Sequence, residues 1–243
     1  MLPIQNVIEP KNYWDKQSNG QHRSQDEDFL KNESREKLFH LGKGEKLLDF
    51  GCGSADLFVY YADFYTLCVG ADNSKLMLEN ASERLKKFNK QNNVILLNSD
   101  NETIWNEIEN KFGKDFKFDC ITTGQVVQYL NTNQTEDFIR IAKLHLTENG
   151  KICMFDIVDS RMYKLWEAGL FKKNSFDFYV FIKLIYCKLR SFIKILRGKP
   201  SSPFGFGYPP SFFMNLAEKL NMKVLYYNSM FYEYRYHIIL GNS

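Results

Sequence analysis

From Lys46 onward the chain alternates short apolar runs with amphipathic stretches, and few folds accept that order. The runs are Leu47-Leu48-Asp49-Phe50, Leu67-Cys68-Val69-Gly70, Val94-Ile95-Leu96-Leu97, Phe118-Asp119-Cys120-Ile121 and Ile152-Cys153-Met154-Phe155. Between them Asp56 to Ala62, Ser74 to Phe88 and Thr135 to Leu146 read as helices. Ser74 is a good N-cap, with Met77, Leu78, Ala81 and Leu85 sharing one face behind it. Asn149-Gly150 is expected to end the third helix as a left-handed cap. Repeated strand–helix units of this kind wind a parallel sheet.

After Asp159 the alternation stops for about fifty residues, closed by the Pro/Gly/aromatic stretch Lys199 to Pro210. A helix over Ser211 to Leu220 follows. Lys223 to Asn228 and Glu233 to Leu240 then read as an antiparallel strand pair joined near Ser229-Met230. The expected class is α/β: a Rossmann-like, seven-stranded, mostly parallel sheet with a terminal antiparallel hairpin. Helices should cover both faces, with a helical insertion after the fifth strand. Residues 1–45 form an N-terminal helical cap in this reading, with Tyr13-Trp14 opening one segment and Glu33 to His40 a second, before Gly42 and Gly44. Residues 46–158 and 211–243 form the core, and 159–210 an insertion that would lie as a lid over an acceptor site.

Composition narrows the class further. The 243 residues are 44% hydrophobic and 25% charged, which excludes disorder and coiled coil, and a net charge of +3 gives no argument for nucleic acid. Five widely spaced cysteines without a CxxC pair suggest buried thiols in a reducing cytoplasm, with no metal site. No signal peptide and no membrane-spanning run is expected from the chain given. Abundant Phe, Tyr, Lys and Asn fit an A/T-rich coding sequence and hence a bacterial source.

The chemistry concentrates where strands end. Leu48-Asp49-Phe50-Gly51-Cys52-Gly53-Ser54-Ala55-Asp56 follows the first strand and opens a helix. Glycines at 51 and 53 let backbone approach a ligand, and a helix N-terminus behind them favours polar or anionic groups. Asp49 heads that turn. Asp72 ends the second strand, where an acid can accept from ribose hydroxyls, and Asp100 ends the third. Taken singly, each aspartate is also explained as a cap or turn former. Together they mark the carboxyl edge of the sheet, where ligands bind in open α/β folds.

With those residues in hand, the chain resembles the class I S-adenosylmethionine-dependent methyltransferases, of small-molecule type, over roughly 46–158 and 211–240. LLDFGCGSADL resembles the glycine-rich first motif, VGADNSKLML the acidic second, Ser99-Asp100 the third and FDCITTGQVVQYL the fourth. LHLTENGKICMFDI resembles the run into the fifth strand. The resemblance implies S-adenosylmethionine as cofactor, S-adenosylhomocysteine as product and no metal. It places Gly51 and Gly53 against the methionine and ribose, Asp49 near the amino group and Asp72 on the ribose hydroxyls. It also sets Asn73 and Met77 beside the adenine, Asp100 at its exocyclic amine and Gln125 along the cofactor. The family commonly has a third glycine where this chain has Ala55. A nicotinamide site is disfavoured by Asp49, the missing third glycine and the hairpin.

The acceptor side carries less signal. Tyr129 and His22 are the catalytic candidates, against a packing tyrosine and a solvated loop histidine. Tyr13-Trp14 resembles an N-terminal aromatic pair that closes over the cofactor, against a plain surface or core pair. His40, His145 and His237 lack supporting context. In residues 178–197, Lys183, Arg190, Lys194 and Arg197 fall in a stripe of about 60° on a helical wheel. Phe181, Leu184, Ile185, Leu189, Phe192, Ile195 and Leu196 lie opposite, and Lys188 intrudes among them. That helix reads as a lid, as an anionic-membrane contact, or as a structural helix with a basic edge. Pro203 to Tyr208 would line the same pocket or form a packed linker.

The expectation is therefore a cytoplasmic methyltransferase acting on a small molecule such as a sugar, a phosphate-bearing compound or a secondary metabolite. The alternatives are a lipid-linked acceptor, with peripheral contact at the inner membrane face, and a non-catalytic binding subunit. Nucleic acid as partner is disfavoured, because Thr123-Gly124-Gln125-Val126 replaces any base-methylating Asn-Pro-Pro-Tyr motif. The sequence does not determine the oligomeric state.

Overall fold

In a computed structural model the described residues are 26–170, 178–196 and 205–242. Their elements, in chain order, are α1 (Glu27–Leu41), β1 (Gly44–Phe50), α2 (Phe58–Tyr61), β2 (Tyr65–Asp72), α3 (Lys75–Lys87), β3 (Val94–Asn98), α4 (Ile104–Phe112) and β4 (Phe118–Gly124). There follow α5 (Thr132–Leu144), β5 (Leu146–Val158), α6 (Ser160–Ala168), α7 (Phe178–Leu196), α8 (Pro210–Lys219), β6 (Met222–Asn228) and β7 (Arg235–Asn242). The strands form one seven-stranded sheet ordered β3-β2-β1-β4-β5-β7-β6. The β1–β5 pairings are parallel, and β7 runs antiparallel to both β5 and β6.

The central strands are apolar along their length because both faces are covered. On one face α4, α5 and α8 press Ile104, Trp105, Ile108, Phe138, Ile139 and Phe213 onto Leu48, Val69, Ile121 and Ile238. On the other, α1, α2 and α3 bring Leu30, Phe58, Ala81 and Leu85 against Leu47, Cys68, Cys120 and Cys153. All five cysteines are free thiols and buried, the role expected of them.

The expected strands and the terminal hairpin are present. Four details differ. The helix expected at 56–62 is a single turn, Phe58–Tyr61. Helix α4 was not anticipated. Helix α1 starts at Glu27 rather than Glu33, because Asp26 caps it by accepting from Phe29 N at 2.8 Å. Asn149-Gly150 does not cap a helix. Helix α5 ends at Leu144, and Gly150 lies inside β5, close against Leu146 and the Phe118 carbonyl. Gly150 is also absent from the residues with positive φ.

Candidate functional site

The first loop is built around backbone that only small residues tolerate. Gly51, Gly53 and Ala55 have φ of +76°, +54° and +61°, so the chain turns left-handed three times within five residues. At Gly51 a Cβ would stand 2.2 Å from Cγ2 of Val126, on the loop after β4. The two loops therefore approach each other closely there, where only glycine leaves room. At Gly53 a Cβ would meet nothing within 4 Å, so bare backbone faces open space. Ala55 holds its left-handed conformation while fully buried. The methyl is accommodated, at a cost of about 1–2 kcal/mol in backbone strain.

Asp72 ties this loop to the next helix. Its Oδ2 accepts from Gly53 N and its Oδ1 from Ser74 N, both at 2.9 Å, while Ser74 caps α3. A carboxylate has about four acceptor sites, two of which these backbone donors fill. Asp49 is buried at the end of β1, in register with Gly70 and Thr122. Cys52 lies between the acids. Burial, with the Asp72 and Asp49 charges, pushes its thiol well above the usual range, so it remains protonated. Asn73 is half-buried and Met77 buried in the first turn of α3.

Asp100 behaves as a turn former. Its Oδ1 accepts from Glu102 N, Thr103 N and Thr103 Oγ1, at 3.0, 3.0 and 2.9 Å. Gln125 is left-handed at φ +60°, held by its N–H on the Phe155 carbonyl at 3.1 Å. Its Nε2 is buried and has no hydrogen-bond partner among the described residues. Buried amides are nearly always paired, so this nitrogen is an exception to the usual pattern. Tyr129 is half-buried on a short turn, Val127–Tyr129. Thus Asp49, Gly51, Gly53, Asp72, Asn73, Asp100 and Gln125 all gather along the carboxyl edge of β1–β4. Tyr13, Trp14 and His22 lie outside the described residues.

Beside Asp49, Gly51, Thr122 and Gly124 is a cavity of about 20 Å³, which Lys37 and Phe155 also line. Lys37 belongs to a buried charge cluster that the sequence did not reveal. Its Nζ lies 2.6 Å from Glu36, 3.1 Å from Asp156 and 3.9 Å from Glu33, with the lysine fully buried. Asp156, at φ +56° beside a register shift in β5, is re-aimed toward α1. Its N–H donates to His237 Nδ1 at 3.1 Å, and His237 Nε2 lies 3.2 Å from Glu36. Burial pushes the Glu36 carboxyl up, but its contacts with His237 and Lys37 outweigh that and hold it at about 2. His237, with no sequence context of its own, is a core member of this cluster. Nothing local signals the arrangement, since Lys37 and Asp156 stand 119 positions apart.

Tyr208, which would line a pocket or belong to a packed linker, is a core residue, as the second reading has it. Its hydroxyl donates to the Leu130 carbonyl at 2.5 Å and lies 3.1 Å from Thr135 Oγ1. Among the described residues, no group of three or more His, Cys, Asp or Glu side chains is placed to hold a metal.

Comparison with known proteins agrees with this geometry. Residues 48–152 match the model of a family described as a methyltransferase domain. No curated protein matches the chain. Among solved structures, magnesium protoporphyrin IX methyltransferase from Synechocystis PCC 6803 with bound SAM aligns over 100% of this chain and 99% of its own, at TM-score 0.60 and 10% identity. The same enzyme with bound SAH aligns over 89% and 83%, at 0.58 and 12%. An S-adenosylmethionine-dependent methyltransferase from Clostridium acetobutylicum ATCC 824 aligns over 90% and 92%, at 0.59 and 14%. At such identities the likeness is one of fold, and the fold is that of the class I methyltransferases. Residues 48–152 thus match a methyltransferase domain, and the sheet built on them has the fold of S-adenosylmethionine-dependent enzymes.

Proposed function

We propose that the protein transfers the methyl group of S-adenosylmethionine to a small-molecule acceptor, with the cofactor held along the carboxyl edge of β1–β4. The observation that carries this reading is the pairing of Gly53, whose backbone faces open space, with the Asp72 carboxylate that holds its N–H. The donor set suits the cofactor. Asp72 would accept from the ribose hydroxyls and Asp49 would meet the methionine ammonium. Gly51 and Gly53 would let backbone lie against the chain, with Asn73 and Met77 beside the adenine and Asp100 toward its amine. Gln125 Nε2, unpaired among the described residues, would donate to the cofactor. When bound, the sulfonium supplies an activated methyl and a neutral leaving group.

What remains for the protein is alignment and exclusion of water. Residues 46–158 and 211–243 provide the core, and the insertion 159–210 sets acceptor choice. Tyr129, on the turn after β4, is the candidate for holding or deprotonating a hydroxyl or ammonium acceptor. Sugars, phosphate-bearing compounds and secondary metabolites are the candidate acceptors, in a bacterial cytoplasm. A lipid-linked acceptor is the second reading, favoured by the exposed apolar arc of α7.

Titration of S-adenosylhomocysteine into the purified protein by calorimetry, with NAD as control, tests the cofactor. Micromolar binding of the homocysteine nucleoside alone is expected. No binding to folded, ligand-free protein would overturn the reading in favour of a non-catalytic domain.

A further inference from the structure

Helix α7 shows its apolar side to solvent. Val180 and Cys187 are buried and Leu184 half-buried, a seam turned toward α6, where Arg190 lies 3.9 Å from Glu167. Ten large apolar side chains elsewhere on α7 are exposed, among them Leu189 at 59%, Phe192 at 60% and Leu196 at 70%. At about 100° per residue these ten span an arc of about 160°, centred opposite the seam. The face expected to cover a site mouth is therefore the exposed one. Lys188 borders one edge of the arc and Arg190 the other, each within about 20° of it, and Lys183 and Lys194 follow Arg190. Residues 178–197 contain five cations and no acid.

We propose that α7 lies flat on an anionic membrane surface, its exposed apolar arc among the acyl chains and its flanking cations at the phosphates. Three features select this occupant. A continuous apolar arc with cations at both edges has the shape of an interfacial helix, with long basic side chains reaching back to headgroups. Tyr186 and Tyr179 lie toward the Arg190 edge of the arc, at the headgroup level where tyrosine rings concentrate. A second copy of the same face would oppose cation to cation, with no acid on the helix itself and Glu167 already beside Arg190. Crossing the bilayer is not an alternative, because no described helix is long and apolar enough. The inference goes beyond methyl transfer and does not rest on it.

Flotation of the full chain with phosphatidylcholine vesicles, with and without phosphatidylglycerol, tests it. Binding is expected only with phosphatidylglycerol, and added salt should weaken it. Lys188→Gln should reduce partitioning about fivefold. The double variant Leu189→Glu with Phe192→Glu, both at exposed positions, should reduce it by roughly tenfold or more. Its melting curve should match the wild type, showing that the loss is not unfolding. Absence of flotation at low salt, or flotation indifferent to these variants, would overturn the proposal. So would a dimer that dissociates in the double variant while vesicles go unbound, which would assign the face to a second copy.

Discussion

Replacing Gly51 by alanine probes the close approach of the two loops of the site. The new methyl would stand 2.2 Å from Val126 Cγ2 and 3.4 Å from Cγ1, on backbone at φ +76°. The left-handed conformation costs alanine about 1–2 kcal/mol. Forcing a methyl into a filled space adds about 1–3 kcal/mol. Together these remove about 2–5 kcal/mol, a large share of the 5–15 kcal/mol typical of a domain. The two costs separate in a double-mutant cycle. Val126→Ala deletes both γ-carbons and leaves only Val126 Cβ at 3.3 Å, so it should relieve the packing cost and leave the backbone cost. Urea unfolding at constant m-value should then show a coupling of about 1–3 kcal/mol between the substitutions. S-adenosylhomocysteine affinity, lowered in Gly51→Ala, should recover partly in the pair. Strict additivity would refute the argument, because a clash with Val126 cannot be additive with its own removal.

Three further outcomes follow from the site and its neighbours. Asp72→Ala should weaken S-adenosylhomocysteine binding by roughly 10-fold to more than 100-fold in calorimetry, since charge-assisted hydrogen bonds contribute about 1.5–3 kcal/mol each. The same change frees Gly53 N and Ser74 N, so amide exchange there should quicken even without ligand. Lys37→Met should cost about 3–5 kcal/mol in urea unfolding, because it leaves the surrounding carboxylates without their buried cation. The lowered Glu36 carboxyl contributes stability that is complete above about pH 4.5 and declines as pH falls toward 2. Urea midpoints across that window should fall for the wild type and flatten for Glu36→Gln.

The buried strands were legible because parallel strands covered on both faces are apolar throughout, as Leu47-Leu48 and Ile152-Cys153-Met154 show. The acidic strand ends were legible too, since Asp49 and Asp72 interrupt apolar runs. Helix α4 was missed because it is only nine residues long, with Ile104, Trp105 and Ile108 buried and Phe112 partly so. Asn149-Gly150 misled because a sound helix-stop signal also suits a strand whose neighbour comes close. The Lys37–Asp156–His237 cluster was invisible for a different reason. Its members look like surface charge on α1 and ordinary polar residues in strands, and only the folded register of β5 with β7 joins them.

That cluster also orders events in time. Helix α1 presents Glu33, Ser34 and Lys37 on its buried face, and their partners include Asp156 in β5 and, through Glu36, His237 in β7. A ribosome releases α1 before β5 and β7. Until β7 is in place, α1 has no complete seat and must keep its charged face in water. Long-range closures of this kind are slow. Helix α1 is thus among the last elements to dock, although it is made before the strands that seat it.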